Sequence, residues 1–83
     1  MNEITLYSFY IDLQTDSLSL AVRTLKRLKT TIRIESDGAY REDPLLSRIY
    51  IETFKREEEL EEWLYNGNHG INYIGVCEAP LRD

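Results

Sequence analysis

Eighty-three residues are enough for one domain with a single two-layer core and too few for a catalytic cleft between two domains. A 42% hydrophobic composition with six tyrosines excludes a fully disordered chain, and Cys77 stands alone, so no intrachain disulfide staples the fold and a reducing compartment is expected. The net charge of −5 comes from the second half, where residues 42–83 carry four Lys/Arg against ten Asp/Glu; that surface repels phosphate backbones and suits a basic partner, while also serving solubility.

Met1-Asn2-Glu3 lacks the basic segment and apolar run of a signal peptide, and no apolar stretch approaches the ~20 residues that span a bilayer. The expectation is a soluble, cytoplasmic protein with no membrane partner. Ile4 to Ile11 is rich in β-branched and aromatic residues at both parities, which predicts a central strand. Thr15, Asp16 and Ser17 are good N-caps for the helical stripe Leu18, Ala21, Val22, Leu25 and Leu28, and Arg23, Lys26, Arg27 and Lys29 lie on its outer face, mostly in the last turns, where the helix dipole favours cations. From Thr30 to Glu35, Ile32 and Ile34 alternate with Thr31, Arg33 and Glu35, the pattern of a half-buried strand. Asp37-Gly38 then predicts a hairpin turn with positive φ, and a return strand beginning near Ala39-Tyr40. Arg41-Glu42-Asp43-Pro44 interrupts that strand with a bulge or loop before Leu45, equally readable as an exposed recognition loop.

Arg48 to Phe54 alternates again, with Ile49, Ile51 and Thr53 on one face and Arg48, Tyr50, Glu52 and Phe54 on the other. The period then becomes helical: from Glu57, the residues Leu60, Trp63 and Leu64 line one side, Glu58, Glu59, Glu61 and Glu62 the opposite one, and Asn66-Gly67 supplies a left-handed stop. Ile71 to Glu78 is the last strand, ended by Pro80, with Leu81-Arg82-Asp83 as a loose tail. The order β-α-β-β-α-β over residues 1–83 predicts a single α+β domain of the ferredoxin-like type: a four-stranded antiparallel sheet with both helices on one face, leaving the other face open.

Tyr7, Phe9 and Ile11 on the first strand, with Tyr50 and Phe54 on the third, are the expected occupants of that open face, and Glu52 lies among them. Aromatics on central strands resemble the base-stacking surface of an RNA recognition motif, but the basic setting and the Lys/Arg-Gly-aromatic signature are absent, so no direct nucleic-acid binding is expected. Catalytic, cofactor and metal residues are read as none: His69 has no ligand partners at metal spacing, Cys77 has no orienting group, and Gly67, Gly70 and Gly75 lack the strand-loop-helix setting of a phosphate loop. The candidate partner-binding residues are Tyr7, Phe9, Tyr50 and Glu52 on the sheet and Glu58 and Glu62 on the acidic helix, where carboxylates present themselves to a basic groove as phosphates would.

Phe54-Lys55-Arg56-Glu57-Glu58-Glu59-Leu60-Glu61-Glu62-Trp63-Leu64-Tyr65 resembles a segment of a small phage-encoded anti-CRISPR protein that inhibits type I-F surveillance complexes, with Phe54, Glu58, Leu60, Glu61, Trp63 and Tyr65 as the matching positions. That family places two helices after its sheet, whereas the order read here interleaves them. The resemblance therefore implies a class of activity: a non-catalytic inhibitor, working in the host cytoplasm, that binds a Cas subunit and blocks target DNA. The alternative is a ferredoxin-like regulatory domain that forms a homodimer through its sheet and binds a small metabolite.

Overall fold

The computed structural model describes residues 4–67 and 69–83. The elements are β1 (Tyr7–Gln14), a single 3₁₀ turn (Thr15–Ser17), α1 (Leu18–Lys26), β2 (Thr31–Ala39), β3 (Leu46–Thr53), α2 (Glu57–Asn66) and β4 (Tyr73–Glu78). The strands form one antiparallel sheet in the order β2-β3-β1-β4, the ferredoxin-like arrangement expected from the element order.

The cross-strand register decides which residues share a face. Phe9 lies opposite Ile51, Ile11 opposite Ile49, and Tyr10 opposite Tyr50. Phe9, Ile11, Leu13, Ile49 and Ile51 therefore point to the same side, where Ala21 and Leu25 of α1 and Leu60 and Leu64 of α2 bury them. Tyr10, Asp12, Arg48, Tyr50 and Glu52 point to the other side, which no helix among the described residues covers. This overturns the expected grouping of Tyr7, Phe9 and Ile11 with Tyr50. Alternation fixes parity within a strand, but the offset between strands is set only by pairing.

Three local readings also change. Thr15 and Ser17 make no side-chain cap on α1. Thr15 Oγ1 donates to the Pro44 carbonyl at 2.7 Å and shares a hydrogen bond with Ser47 Oγ, while Ser17 Oγ accepts from the Asn72 N–H at 3.0 Å. Their hydroxyls thus join two loops to the start of α1. Asp37-Gly38 is not a turn: β2 runs on to Ala39, and the register shifts between Ser36 and Gly38, so Asp37 is the extra residue of a β-bulge. Gly38, at φ +79°, supplies the positive dihedral that a bulge accommodates as readily as a turn does. The reversal lies instead over 40–45, closed by Tyr40 N–H to Leu46 O at 2.9 Å and Leu46 N–H to Asp43 O at 3.0 Å, so the return strand starts at Leu46. Gly67 at the end of α2 has φ −74°, right-handed, where a left-handed stop was expected. Glycine is required there by proximity, since a Cβ would collide with the His69 ring and the Trp63 carbonyl.

β1 begins three residues later than its apolar run suggests and continues through Asp12 to Gln14, because Asp12 finds Arg48 directly opposite on β3. After β4, the Ala79 N–H still pairs with Ser8 O at 3.0 Å. The chain then turns across the helix-free face, and Arg82, expected in a loose tail, becomes the centre of that surface. No helix among the described residues is long and apolar enough to cross a membrane.

Candidate functional site

Antiparallel pairing sets an alternating row of rings and charges across the helix-free face. Arg48, opposite Asp12, donates from Nε to Oδ1 at 2.8 Å and from Nη2 to Oδ2 at 3.0 Å, a two-pronged pair whose geometry suits guanidinium and carboxylate. The Tyr40 hydroxyl donates to the same carboxylate. The Arg48 guanidinium lies 4.4 Å from the Tyr10 ring centre and 5.5 Å from that of Tyr40, within cation–π range. Two residues along β3 from Arg48, Tyr50 is fully buried, its hydroxyl donating to Glu52 Oε2 at 2.6 Å. Arg33 on β2 pairs with Glu35 and sits 3.5 Å from Glu52.

Arg82 closes the face. Its guanidinium lies 4.1 Å from the Tyr50 ring centre, donates to both oxygens of Asp37 at 3.0 and 2.8 Å, and reaches Glu35 Oε2 at 2.9 Å. Its main-chain N–H donates to the Tyr50 hydroxyl at 2.9 Å, and its carbonyl accepts from Arg33 Nη1 at 3.2 Å. The bulge at Asp37 is what turns that carboxylate toward Arg82.

These pairings bias the titrations. Hydrogen bonds from Arg48 hold the Asp12 carboxyl below the usual carboxylate range, helped by the Tyr40 hydroxyl. Arg82, then Arg33, do the same for Glu35, and Arg82 for Asp37. Burial, followed by a carboxylate acceptor, raises the phenols of Tyr40 and Tyr50.

The second charged surface is the outer side of α2. Glu59 is structural: its Oε1 accepts from the Arg56 N–H at 3.1 Å and from Arg56 Nε at 3.2 Å, satisfying a donor at the helix start. Glu58 and Glu62, one turn apart, are exposed, and Tyr65, the next residue on that stripe, is 78% exposed. Among the described residues, Glu57, Glu58, Glu61 and Glu62 form no ion pair. Trp63, on the adjacent side, is half-buried and stacks on His69 with ring centres 3.8 Å apart.

The structure separates the six residues singled out from sequence. Phe9 is 2% exposed in the core, and Tyr7 stacks on it at 6.1 Å between ring centres, beneath the helices and not on the open face. Tyr50 and Glu52 do lie on the helix-free side but are sealed within it at 0% and 8% exposure. Glu58 and Glu62 remain accessible. Phe54, expected beside Tyr50, sits just beyond β3 at the rim of a shallow pocket with Ile4, Thr5, Tyr7, Arg56 and Glu59. Sequence reasoning missed Tyr10, Asp12, Tyr40, Arg48 and Arg82. The i, i+2 spacing of Tyr10 and Asp12, matched by Arg48 and Tyr50, was a usable signal once antiparallel pairing is assumed; nothing near Arg82 announced its role.

Among the described residues, no three His, Cys, Asp or Glu side chains converge as a metal-ligand set. Comparison of the chain with protein-family models, with curated proteins and with solved structures finds no match.

Proposed function

We propose that this chain is a non-catalytic binding protein that engages a basic protein surface through the outer side of α2, acting as an inhibitor by occupying a surface that otherwise meets nucleic acid. The observation that supports it is the exposed stripe Glu58-Glu62-Tyr65, whose carboxylates have no partner among the described residues of the fold. Unpaired carboxylates on a rigid helix project a negative field that steers a basic partner, and an exposed tyrosine beside them supplies contact area at small rotamer cost. The resemblance of Phe54 to Tyr65 to an anti-CRISPR segment names a specific partner class: a Cas subunit of a type I-F surveillance complex. The test is direct. Purified surveillance complex is mixed with this chain, and target-DNA binding is measured across a salt series. The expected result is loss of DNA binding that weakens as salt rises and disappears with Glu58→Lys plus Glu62→Lys. Undiminished DNA binding at low salt would reject the Cas partner, and salt-independent inhibition that survives the double reversal would reject α2 as the contact.

A further inference from the structure

Among the described residues, and without Arg82, the helix-free face carries the paired carboxylates Asp12, Glu35, Asp37 and Glu52 against the guanidiniums Arg33 and Arg48. Arg48 is committed to Asp12 by both prongs. What remains around Asp37, Glu35 and the Tyr50 ring is a site that lacks one planar cation. Each part of it is held by the sheet: Asp37 by the bulge beside Gly38, Glu35 by Arg33, and the Tyr50 ring edge-on to Tyr10 at 6.1 Å. The occupant, by contrast, belongs to a segment outside any strand, in which the neighbouring Leu81 is 59% exposed.

The geometry points to a receptor for an arginine within an extended peptide segment, filled here by the chain's own Arg82 and able to exchange it for an arginine of a partner protein. Recognition covers side chain and main chain alike: Asp37 and Glu35 take the guanidinium N–H groups, the Tyr50 ring centre lies 4.1 Å from its carbon, the Tyr50 hydroxyl takes the main-chain N–H, and Arg33 takes the carbonyl. Lysine does not fit this description, because a point ammonium cannot grip Asp37 with two parallel bonds while also reaching Glu35 and the Tyr50 ring. An occupant tethered by a short segment competes at an effective concentration on the order of millimolar, so a partner's arginine prevails only when further contacts hold it nearby.

This site is independent of the α2 reading, and its test contains no partner. The full chain carrying Arg82→Ala is titrated with N-acetyl-arginine amide, and the NMR signals of Tyr50 and Tyr10 are followed. A saturable shift is expected in Arg82→Ala, absent with N-acetyl-lysine amide, and weakened about tenfold by adding Asp37→Asn, the loss of one charge-assisted pair. Wild type should need a concentration at least about tenfold higher, since Arg82 competes. If Arg82→Ala is unfolded, the arginine amide should restore its far-UV circular dichroism. No saturable shift in folded Arg82→Ala, no refolding of an unfolded one, an equal response to the lysine amide, or equal half-saturation in wild type and variant would each overturn the proposal, the last because it places the ligand elsewhere, as on the acidic helix.

Discussion

On the helix-free side of the sheet, Asp12, Glu35, Asp37 and Glu52 each face a guanidinium or a phenol, whereas on the outer side of α2 the exposed Glu58 and Glu62 form no ion pair among the described residues. The two surfaces are made of similar residue types. Their difference lies in what the fold spends each carboxylate on. In the sheet network, the charges are partly withdrawn from water, so each is tied to a partner and a vacancy is costly. On α2, full solvation keeps the charges inexpensive to hold, and their field stays available to another molecule. The carboxylates of the first surface are committed within the fold, whereas Glu58 and Glu62 of the second form no ion pair among the described residues.

The largest expected effect of a substitution that tests this contrast is at Tyr50, whose ring is fully buried between strand neighbours and Arg82. Tyr50→Ala should cost ~3–5 kcal/mol, as truncation of a buried aromatic does, which rivals the whole stability of a small domain. Denaturant unfolding would read this as a large drop in midpoint. Tyr50→Phe keeps the ring but leaves the Arg82 N–H and Glu52 without the hydroxyl, a loss of ~1–3 kcal/mol. A Tyr50→Ala protein as stable as wild type would remove the distinction between the two surfaces.

A collective effect comes next, and its sign follows from the titrations. Asp12, Glu35 and Asp37 have folded-state values below their ordinary ones. Depressed carboxylates contribute stability that is complete above the unfolded value of about 4 and fades as pH falls from there through the folded values. Thermal melts between neutral pH and pH 3 should therefore show a decline confined to the acid end, and Asp12→Asn or Asp37→Asn should lower the neutral plateau and flatten that decline. An acid limb unchanged in both variants would mean that other groups control it.

Arg48→Lys should be milder, about 1 kcal/mol, because the charge opposite Asp12 survives while the two-pronged bond and the guanidinium's contacts with the Tyr10 and Tyr40 rings do not. A double-mutant cycle with Tyr10→Leu measures the cation–π part directly, and additive losses would assign Arg48 to Asp12 alone.

How much of this was legible in the sequence follows from the range of each interaction. Element types and order were readable because Ile49, Ile51 and Thr53 alternate at strand period and Leu60, Trp63 and Leu64 recur at helical period, both local signals. The Asp37-Gly38 signal predicts a turn with positive φ at both residues; Gly38 takes the positive φ, but a dihedral does not say whether the strand continues, and here it does. The face of Phe9 depended on pairing with Ile51, 42 positions away, and Arg82 on Asp37, 45 away; no local pattern encodes either. Glu58 and Glu62 were legible as candidates for the opposite reason: an exposed glutamate stripe needs nothing beyond its own helix to define it.

The smallest effect on stability, and the sharpest test of the contrast, is expected within α2 itself. Glu58 and Glu59 are sequence neighbours, both exposed, yet only Glu59 accepts the Arg56 N–H and its guanidinium. Glu59→Lys should lower the melting temperature by removing an acceptor from the helix start and placing a cation near the positive end of the dipole. Glu62→Lys lies in the middle of the helix and should leave the melting temperature unchanged within error, with Glu58→Lys falling between the two because it shares the dipole penalty but breaks no bond. Binding should rank differently. Toward a basic partner, Glu58→Lys and Glu62→Lys together should slow association by about tenfold at low salt while leaving dissociation nearly unchanged, the signature of lost steering. Equal melting temperatures for Glu59→Lys and Glu62→Lys would deny Glu59 its structural role, and an association rate indifferent to both reversals would move the encounter surface off α2.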